Sequence, residues 1–227
     1  MPRALITGGS AGLGRALASG LSRRGWDVVI TARHREPLEA TALELGPRVT
    51  PVVGDVMDAG HRDHLAHVVG SLDLLVNNAS TLGASPLPPV LDLSADVLHR
   101  LWETNVVAPV ELIQRLRAQL TPTAAVVNIT SDAATEHYET WGGYAASKAA
   151  LEHLTLTLAA EDPDIRWWAV DPGDLQTQMH QDAFPGEDIS DRPLPETVVP
   201  AFLRLLEVRP PSGRYRATEL ASAGAAA

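Results

Sequence analysis

The stretch that decides the fold reads Thr7-Gly8-Gly9-Ser10-Ala11-Gly12-Leu13-Gly14. A short apolar run at residues 4–7 precedes it, and apolar residues recur at three- and four-residue spacing after it. This order is typical of a strand, a tight turn and a helix. Glycines let such a turn bend sharply and bring backbone amides close to a diphosphate at the helix N-terminus. The stretch therefore predicts a dinucleotide-binding turn that opens an α/β domain.

The same alternation continues outward along the chain. Further apolar runs predict strands at residues 27–31, 49–53, 72–76, 126–129 and 165–170. Helix-length segments separate them, among them those around residues 58–70, 94–119 and 141–160. A last strand is expected at residues 213–217. Short apolar strands joined by helical crossovers indicate a parallel, doubly wound sheet with helices on both faces.

The chain is expected to form one domain. A single core can still grow at 227 residues, and no shift in composition marks a second unit. We therefore predict one NAD(P)-binding, Rossmann-type domain over residues 1–227. Residues 174–195 lack clear periodicity and are expected to form a substrate loop, and residues 221–227 a peripheral tail.

Composition narrows the class of function. The formal net charge of −10 opposes binding to nucleic acid and to anionic membrane surfaces. The absence of cysteine excludes disulfides, thiolate catalysis and cysteine-ligated metal. We find neither a secretory apolar region nor an apolar stretch approaching about 18 residues. The sequence therefore predicts a cytoplasmic protein that binds neither nucleic acid nor membranes.

Two other motifs overlap the same glycines. Gly8 to Gly12 fits the Gly-x-Ser-x-Gly elbow of acyl hydrolases, but the seven residues before Gly8 leave no earlier strand to supply an oxyanion loop. Gly9 to Gly14 has the spacing of the P-loop of nucleoside triphosphatases, but Arg15-Ala16 replaces the required Lys-Ser/Thr. Neither a hydrolase nor an NTPase is supported.

Cofactor choice depends on the residue that follows the second strand. An acidic residue there favours NAD, whereas arginine accommodates the 2′-phosphate of NADP. This position holds Arg33, so we expect NADP(H) to be preferred, with NAD(H) as the alternative. A pair of solvated loop charges, Arg33 and Arg35, is the other explanation.

A catalytic group is indicated by Tyr144 and Lys148, which lie four residues apart in a helical stretch and share one face. Lys148 is the only lysine in a chain otherwise rich in arginine, which suggests that this position needs a compact ammonium. Ser131 follows a strand at its carboxyl end, where open α/β sheets bind ligands. Asn105 lies on an apolar helix face, and Pro109, four residues further on, has no N–H. The backbone carbonyl of Asn105 therefore lacks its usual helical donor and is free to hold a water. The equal alternative to a functional role is that Asn105 is a core asparagine with local hydrogen bonds beside a proline kink.

Taken together, these motifs resemble the short-chain dehydrogenase/reductase family, from residue 4 to about residue 177. Ser80 departs from the pattern, because the family usually has glycine after Asn-Asn-Ala. The shared elements, in the family's order, are Thr7-Gly8-x3-Gly12-x-Gly14, Asp55, Asn77-Asn78-Ala79, Asn105, Ser131, Tyr144-x3-Lys148 and Pro172-Gly173.

The resemblance implies hydride transfer between a nicotinamide cofactor and a carbonyl or alcohol carbon. It implies that Tyr144 gives or takes the oxygen-bound proton and that Ser131 orients this oxygen. Lys148 would bind the nicotinamide ribose and lower the pKa of Tyr144, and Asn105 would anchor a proton-relaying water. The full set of expected cofactor-binding residues is Gly8, Ser10, Gly12, Leu13, Gly14, Arg33, Asp55, Val56, Asn78, Ala79, Tyr144, Lys148, Pro172, Gly173 and Thr177.

The sequence thus predicts an oxidoreductase that uses NADP(H) and acts on a small or medium, apolar carbonyl or alcohol compound. The alternative is a non-catalytic, dinucleotide-binding regulatory protein on the same fold, against which four intact catalytic positions argue. A homodimer or homotetramer is expected, because homo-oligomers are usual in the family.

Two further groups of residues allow a functional explanation. Three histidines recur every three residues at His61, His64 and His67, and we interpret them as part of an exposed helix rather than as a metal site. A second set of residues can be explained by an apolar or aromatic substrate pocket or, equally well, by the packing of loops. That set comprises Leu82, His137, Tyr138, Trp141, Leu175, Met179 and Phe184.

Overall fold

The computed structural model describes residues 1–222. Seven strands within this range form one parallel sheet in the order β3-β2-β1-β4-β5-β6-β7, which confirms the predicted fold class. The strands are β1 Arg3–Thr7, β2 Asp27–Ala32, β3 Val49–Val53, β4 Leu72–Asn77, β5 Leu120–Ile129, β6 Arg166–Asp171 and β7 Gly213–Arg216. The α-helices are α1 Gly12–Arg23, α2 Arg35–Leu45, α3 Ala59–Val69, α4 Ala95–Trp102, α5 Ala108–Leu116, α6 Gly142–Glu161, α7 Gln178–Ala183, α8 Val199–Val208 and α9 Ala217–Ser222.

Apolar side chains are buried on both faces of the sheet, as its parallel connections require. Two neighbouring tryptophans of β6 show this arrangement, because Trp167 packs into the core on one face and Trp168 into the core on the other. Each fully buried large side chain contributes about 1.5–3 kcal/mol to folding. None of the helices within residues 1–222 is both long and apolar enough to cross a membrane.

The site lies where the direction of the sheet order reverses. Strand β1 pairs with β2 on one side and with β4 on the other, so the connections after β1 and β4 leave towards opposite faces. A crevice forms at the carboxyl ends of the strands at such a switch point, and ligands bind there in open α/β sheets.

The predicted helix at residues 94–119 is interrupted. It consists of α4, a π-helical turn at Glu103–Val107 and α5. Pro109 explains the interruption, since its nitrogen carries no hydrogen for the usual bond to the carbonyl of Asn105.

Other boundaries also differ from the sequence-based expectations. Strand β5 begins at Leu120 rather than at residue 126, and the expected loop at residues 174–195 contains helix α7, which Thr177 caps through its hydroxyl. The assignment of 174–195 to the substrate stays a prediction. The expected tail at residues 221–227 lies outside the described residues from residue 223 onward.

Candidate active site

The glycine-rich turn joins β1 to α1 at the carboxyl edge of the sheet. Gly8 and Gly12 have positive φ angles of 67° and 52°, a region that residues with a Cβ rarely occupy. A Cβ on Gly14 would collide with the carbonyl oxygen of Gly8. Gly14 therefore lets the helix pack closely against the turn, and it does not line the cleft described below.

Asn78 ties this turn to the end of β4. Its side-chain amide donates to the carbonyl oxygens of Thr7 at 2.9 Å and of Gly8 at 3.2 Å. The hydroxyl of Thr7 accepts from the backbone N–H groups of Asn78 and Ala79, each at 2.9 Å. These four bonds fix the shape of the turn across the switch point.

A continuous cleft of about 350 Å³ runs along the carboxyl ends of the strands, within the range typical of small-molecule sites. Every predicted catalytic and cofactor-binding residue lines it except Gly14 and Asn105. Several further lining residues were not predicted from the sequence. They lie beside the predicted turn and strand ends, and this proximity is the signal that could have found them. They include Ala11, Thr31, Ala32, His34 and Gly54.

The residues at the turn fit the diphosphate of a dinucleotide. Helix α1 begins at Gly12, and Ala11 before it makes no side-chain cap. The first turn of α1 also holds no acidic residue. Because the first amides of a helix lack intrahelical acceptors and lie at the positive end of its dipole, this helix start favours an anion.

The far end of the cleft is lined by Arg33, His34, Asp55 and Val56, at the ends of β2 and β3. The carboxylate of Asp55 accepts from the backbone N–H of Met57 at 2.9 Å, so it is partly occupied within the chain. Arg33 is exposed and has no carboxylate partner within residues 1–222, whereas nearby Arg35 pairs with a glutamate. These two arginines therefore differ in their surroundings.

Tyr144 and Lys148 project from α6 into the opposite end of the cleft. Tyr144 is 7% exposed and Lys148 is 2% exposed. The ammonium of Lys148 donates to the carbonyl oxygen of Ile129 at 2.9 Å and lies 5.6 Å from the centre of the Tyr144 ring. Burial lowers the pKa of Lys148 to about 8, because desolvation disfavours its charged form.

The hydroxyl of Tyr144 lies beside those of Ser80 and Ser131. Burial raises the pKa of Tyr144 above its usual value, and this effect exceeds the lowering by the two serine hydroxyls. The carboxylates of Asp132 and Asp171 raise this pKa further. The lowered tyrosine pKa that the family resemblance implies is therefore not a property of the chain by itself, because burial dominates.

Asn105 is fully buried at the centre of the π-helical turn. Its side-chain oxygen accepts from the Ser80 hydroxyl at 3.1 Å and from the Thr81 N–H at 2.9 Å. Its amide nitrogen donates to the Thr81 carbonyl and to the Ser147 hydroxyl, both at 2.9 Å. Asn105 thus joins three segments from behind the cleft wall, and its proposed role in holding water through its backbone carbonyl stays a prediction.

The suggested substrate pocket forms only in part. Leu82, Trp141, Leu175 and Met179 line the cleft near Tyr144. Phe184 packs against Trp141 with ring centres 5.8 Å apart. Tyr138 instead donates to Asp132 at 2.8 Å and lines a neighbouring surface depression, and His137 is exposed and lines neither.

The interpretation of His61 as an exposed residue was wrong. His61 is buried, and its Nε2 lies 2.7 Å from the hydroxyl of Thr31. Burial is the main cause that lowers its pKa. Residues 1–222 contain no group of three or more histidine or carboxylate side chains that could hold a metal ion.

Comparison with known proteins gives a consistent result. The family model for short chain dehydrogenases matches residues 2–188. An uncharacterized oxidoreductase of Saccharomyces cerevisiae is 32% identical over 182 residues, which cover 77% of this chain and 71% of the yeast protein.

Two solved structures resemble the whole fold. A short chain dehydrogenase from Shigella flexneri, complexed with NADP, superposes with a TM-score of 0.88 at 27% identity over 96% of this chain and 97% of that one. An alcohol dehydrogenase from Thermococcus sibiricus, complexed with 5-hydroxy-NADP, gives a TM-score of 0.85 at 27% identity over 95% of each chain.

The chain belongs to the short chain dehydrogenase family, as the family match over most of its length shows. This result confirms the resemblance drawn from the motifs. The relatives are oxidoreductases, so the chain is an oxidoreductase and the alternative of a non-catalytic regulator is not supported.

Proposed function

We propose that the protein transfers hydride between NADP(H) and the carbonyl or alcohol carbon of a small or medium, apolar molecule, with Tyr144 as the acid and base. One observation carries this proposal: Tyr144 and Lys148 are buried at one end of a cleft whose middle is the glycine turn. A dinucleotide bound with its diphosphate at the turn would extend its nicotinamide towards this pair.

Each catalytic side chain has a defined task. When bound, the nicotinamide supplies or accepts the hydride. Tyr144 gives its proton to the forming alkoxide during reduction and takes it back during oxidation. Ser131 orients the substrate oxygen, and Lys148 binds the nicotinamide ribose.

Positive charge must offset the effect of burial on Tyr144. Each unit by which its pKa falls needs about 1.4 kcal/mol of stabilisation of the phenolate. The Lys148 ammonium and the charge of an oxidised nicotinamide are the two sources at this end of the cleft. Ionisation of Tyr144 is therefore coupled to the cofactor.

The preference for NADP(H) rests on Arg33. Its guanidinium is exposed at the cleft and has no carboxylate partner within residues 1–222, so it can meet the 2′-phosphate with parallel hydrogen bonds. Two solved relatives were complexed with NADP or a derivative of it, which supports the same choice.

The substrate is proposed to be apolar near its reacting carbon, because Leu82, Trp141, Leu175 and Met179 line that end of the cleft. These side chains can exclude water around the reacting atoms and contribute burial energy to substrate binding. The homodimer or homotetramer expected from the family stays a prediction.

Turnover tests this proposal directly. A panel of ketones, aldehydes and alcohols is assayed with NADP(H), followed by the Tyr144→Phe variant on any compound that reacts. We expect Tyr144→Phe to lower kcat by about 10²–10⁴-fold while NADPH still binds, as measured by tryptophan fluorescence.

Tyr215→Phe is the matched control, since its hydroxyl bonds only to the Pro211 carbonyl at the surface. It should leave turnover unchanged. Retention of full activity by Tyr144→Phe would show that another group moves the proton.

A further inference from the structure

Helix α6 is bonded to strand β5 and to Thr130, the residue that follows it, through a row of polar contacts. Besides Lys148, which reaches the backbone of β5, Glu152 accepts from the Thr130 hydroxyl at 3.1 Å and Thr155 accepts from the Asn128 amide at 2.8 Å. Positions 148, 152 and 155 share one helix face. The row therefore fixes the rotation and the height of the catalytic helix against the strand that ends before Ser131.

Glu152 is the one acidic member of this row. Its side chain is only 12% exposed, and a carboxylate so far out of water needs a cationic partner. Lys148 does not serve, because its ammonium bonds to a backbone carbonyl. The partner is Arg214, whose Nε lies 3.0 Å from the same glutamate oxygen that accepts from Thr130.

Arg214 lies on β7, at the edge of the sheet, and reaches inward across β6. Its register partner on β6 is Ala169, which in turn pairs with Asn128 of β5. Side chains in register on neighbouring parallel strands share a face of the sheet. Because Ala169 presents only a methyl group there, the long arginine side chain can pass over it.

The same guanidinium contacts two further parts of the cleft wall. Its Nη2 donates to the carbonyl oxygen of Ser131 at 3.3 Å and to the Asp171 carboxylate at 3.4 Å. Asp171 in turn accepts from the backbone N–H of Gly173 at 2.9 Å. One side chain, 21% exposed, thus joins α6, the end of β5 and the turn after β6.

We propose that Arg214 is a positioning residue that holds Ser131, the Pro172-Gly173 turn and helix α6 in their mutual arrangement around the reacting atoms. The inference rests on the proposed roles of Tyr144 and Ser131. A planar guanidinium can bond to three acceptors in different directions, whereas a lysine ammonium at the end of a flexible stem cannot reach all three at once. The C-terminal strand thereby becomes part of the catalytic end.

The positive charge of Arg214 also affects the ionisation of nearby groups. Burial raises the pKa of Asp171, and the backbone N–H of Gly173 and then the guanidinium of Arg214 lower it. Asp132 raises this pKa and Arg216, 3.7 Å from the Asp171 carboxylate, lowers it, both by less than Arg214 does. Negative charge on Asp171 raises the pKa of Tyr144. Removal of Arg214 leaves Arg216 as the one remaining guanidinium beside the Asp171 carboxylate within residues 1–222, so negative charge on Asp171 is less compensated and Tyr144 becomes harder to ionise.

The test compares Arg214→Met and Arg214→Lys with Arg24→Met, which removes an exposed ion pair of 2.6 Å between Arg24, the residue after α1, and Glu207 of α8. Cyclohexanol, benzyl alcohol and 1-indanol are oxidised with NADP across a pH series, and NADPH affinity is measured by tryptophan fluorescence. For Arg214→Met we expect a kcat at least about tenfold lower and an apparent pKa for alcohol oxidation about one unit higher. Arg214→Lys should fall between this variant and the original chain, and Arg24→Met should match the original chain.

The affinity for NADPH gives a readout that does not depend on turnover. Loss of the Arg214–Asp171 contact loosens the Pro172-Gly173 turn, so the dissociation constant should rise a few-fold in Arg214→Met and remain unchanged in Arg24→Met. Unchanged affinity together with an unchanged pH profile would overturn the inference. If Arg214→Met does not fold, Arg214→Lys must show the shifted pH profile, or the inference is wrong.

A double variant separates positioning from stability. Adding Glu152→Gln to Arg214→Met removes the unpaired buried carboxylate, so the melting temperature should recover while kcat stays low. Full recovery of kcat along with stability would mean that Arg214 serves folding alone. Full activity of Tyr144→Phe would instead overturn the proposed function, so the two failures are distinguishable.

Discussion

The two ends of the cleft are built differently. At the catalytic end, Tyr144 and Lys148 are buried, and their helix is fastened to neighbouring strands through Glu152 and Arg214. At the other end, Arg33 is exposed and has no carboxylate partner in the part of the chain that the structure describes. The geometry of the proposed catalytic group is therefore determined by several elements at once, whereas the proposed preference for NADP(H) rests on a single side chain.

This difference predicts that substitutions at Lys148 lower turnover more than substitutions at Arg33 do. Lys148→Met removes the ammonium that we propose binds the ribose and favours the phenolate, so kcat/KM should fall by about 10²–10³-fold. A loss of less than tenfold would show that the buried ammonium is not needed for turnover, and the contrast between the two ends would fail.

The pH dependence of carbonyl reduction sharpens the same point. Because burial lowers the pKa of Lys148 to about 8, the ammonium is present below this pH and is lost above it. The kcat/KM for reduction should therefore fall as pH rises through about 8. In Lys148→Arg, which stays charged, activity should be lower throughout but should show no fall near this pH. The same alkaline fall in both proteins would assign it to another group.

An intermediate effect is expected at the adenosine end. Arg33→Ser should raise the KM for NADPH by about 10- to 100-fold, the equivalent of about 1.5–3 kcal/mol for hydrogen bonds to a charged group. The KM for NADH and kcat should change little. Arg35→Ser is the matched control, because Arg35 pairs with Glu39 at 2.7 Å. Equal effects of the two substitutions on NADPH would reduce both arginines to general surface charge.

The smallest effect is expected at Ser80, where the family usually has glycine. The Ser80 hydroxyl lowers the pKa of Tyr144 and donates to Asn105, whose side chain retains three other bonds. Ser80→Gly should therefore raise the apparent pKa for alcohol oxidation by less than about one unit, with kcat within a few-fold. Ser22→Ala, which removes a hydroxyl bond to the Ser19 carbonyl within α1, is the control. A large loss in Ser80→Gly would place Ser80 among the essential groups.

Local pattern was sufficient to predict much of the fold. The glycine turn and the short apolar runs gave the strands, because burial on both faces produces continuous apolar segments. The interruption at residues 103–107 could be predicted only in part, since Pro109 indicates a break in the helix but not its π-helical form. Helix α7 is six residues long, too short to give a clear helical period.

The candidate site shows the same distinction between local patterns, which can be predicted, and contacts between distant segments, which cannot. Tyr144, Lys148 and Ser131 could be predicted because their spacing and their place at a strand end carry the signal. Arg214 and the buried state of His61 could not, since both depend on contacts between segments far apart in the chain. Periodicity indicates which face a residue occupies, but it does not identify the partner across the sheet.

The single lysine allows selective chemical labelling of the cleft. The ε-amine of Lys148 is the one side-chain primary amine in the sequence, and it faces the cleft. A small amine-directed label should therefore modify one internal site, and mass spectrometry can follow this reaction. Compounds that shield the amine from the label would be found by their occupancy alone, before any turnover is known.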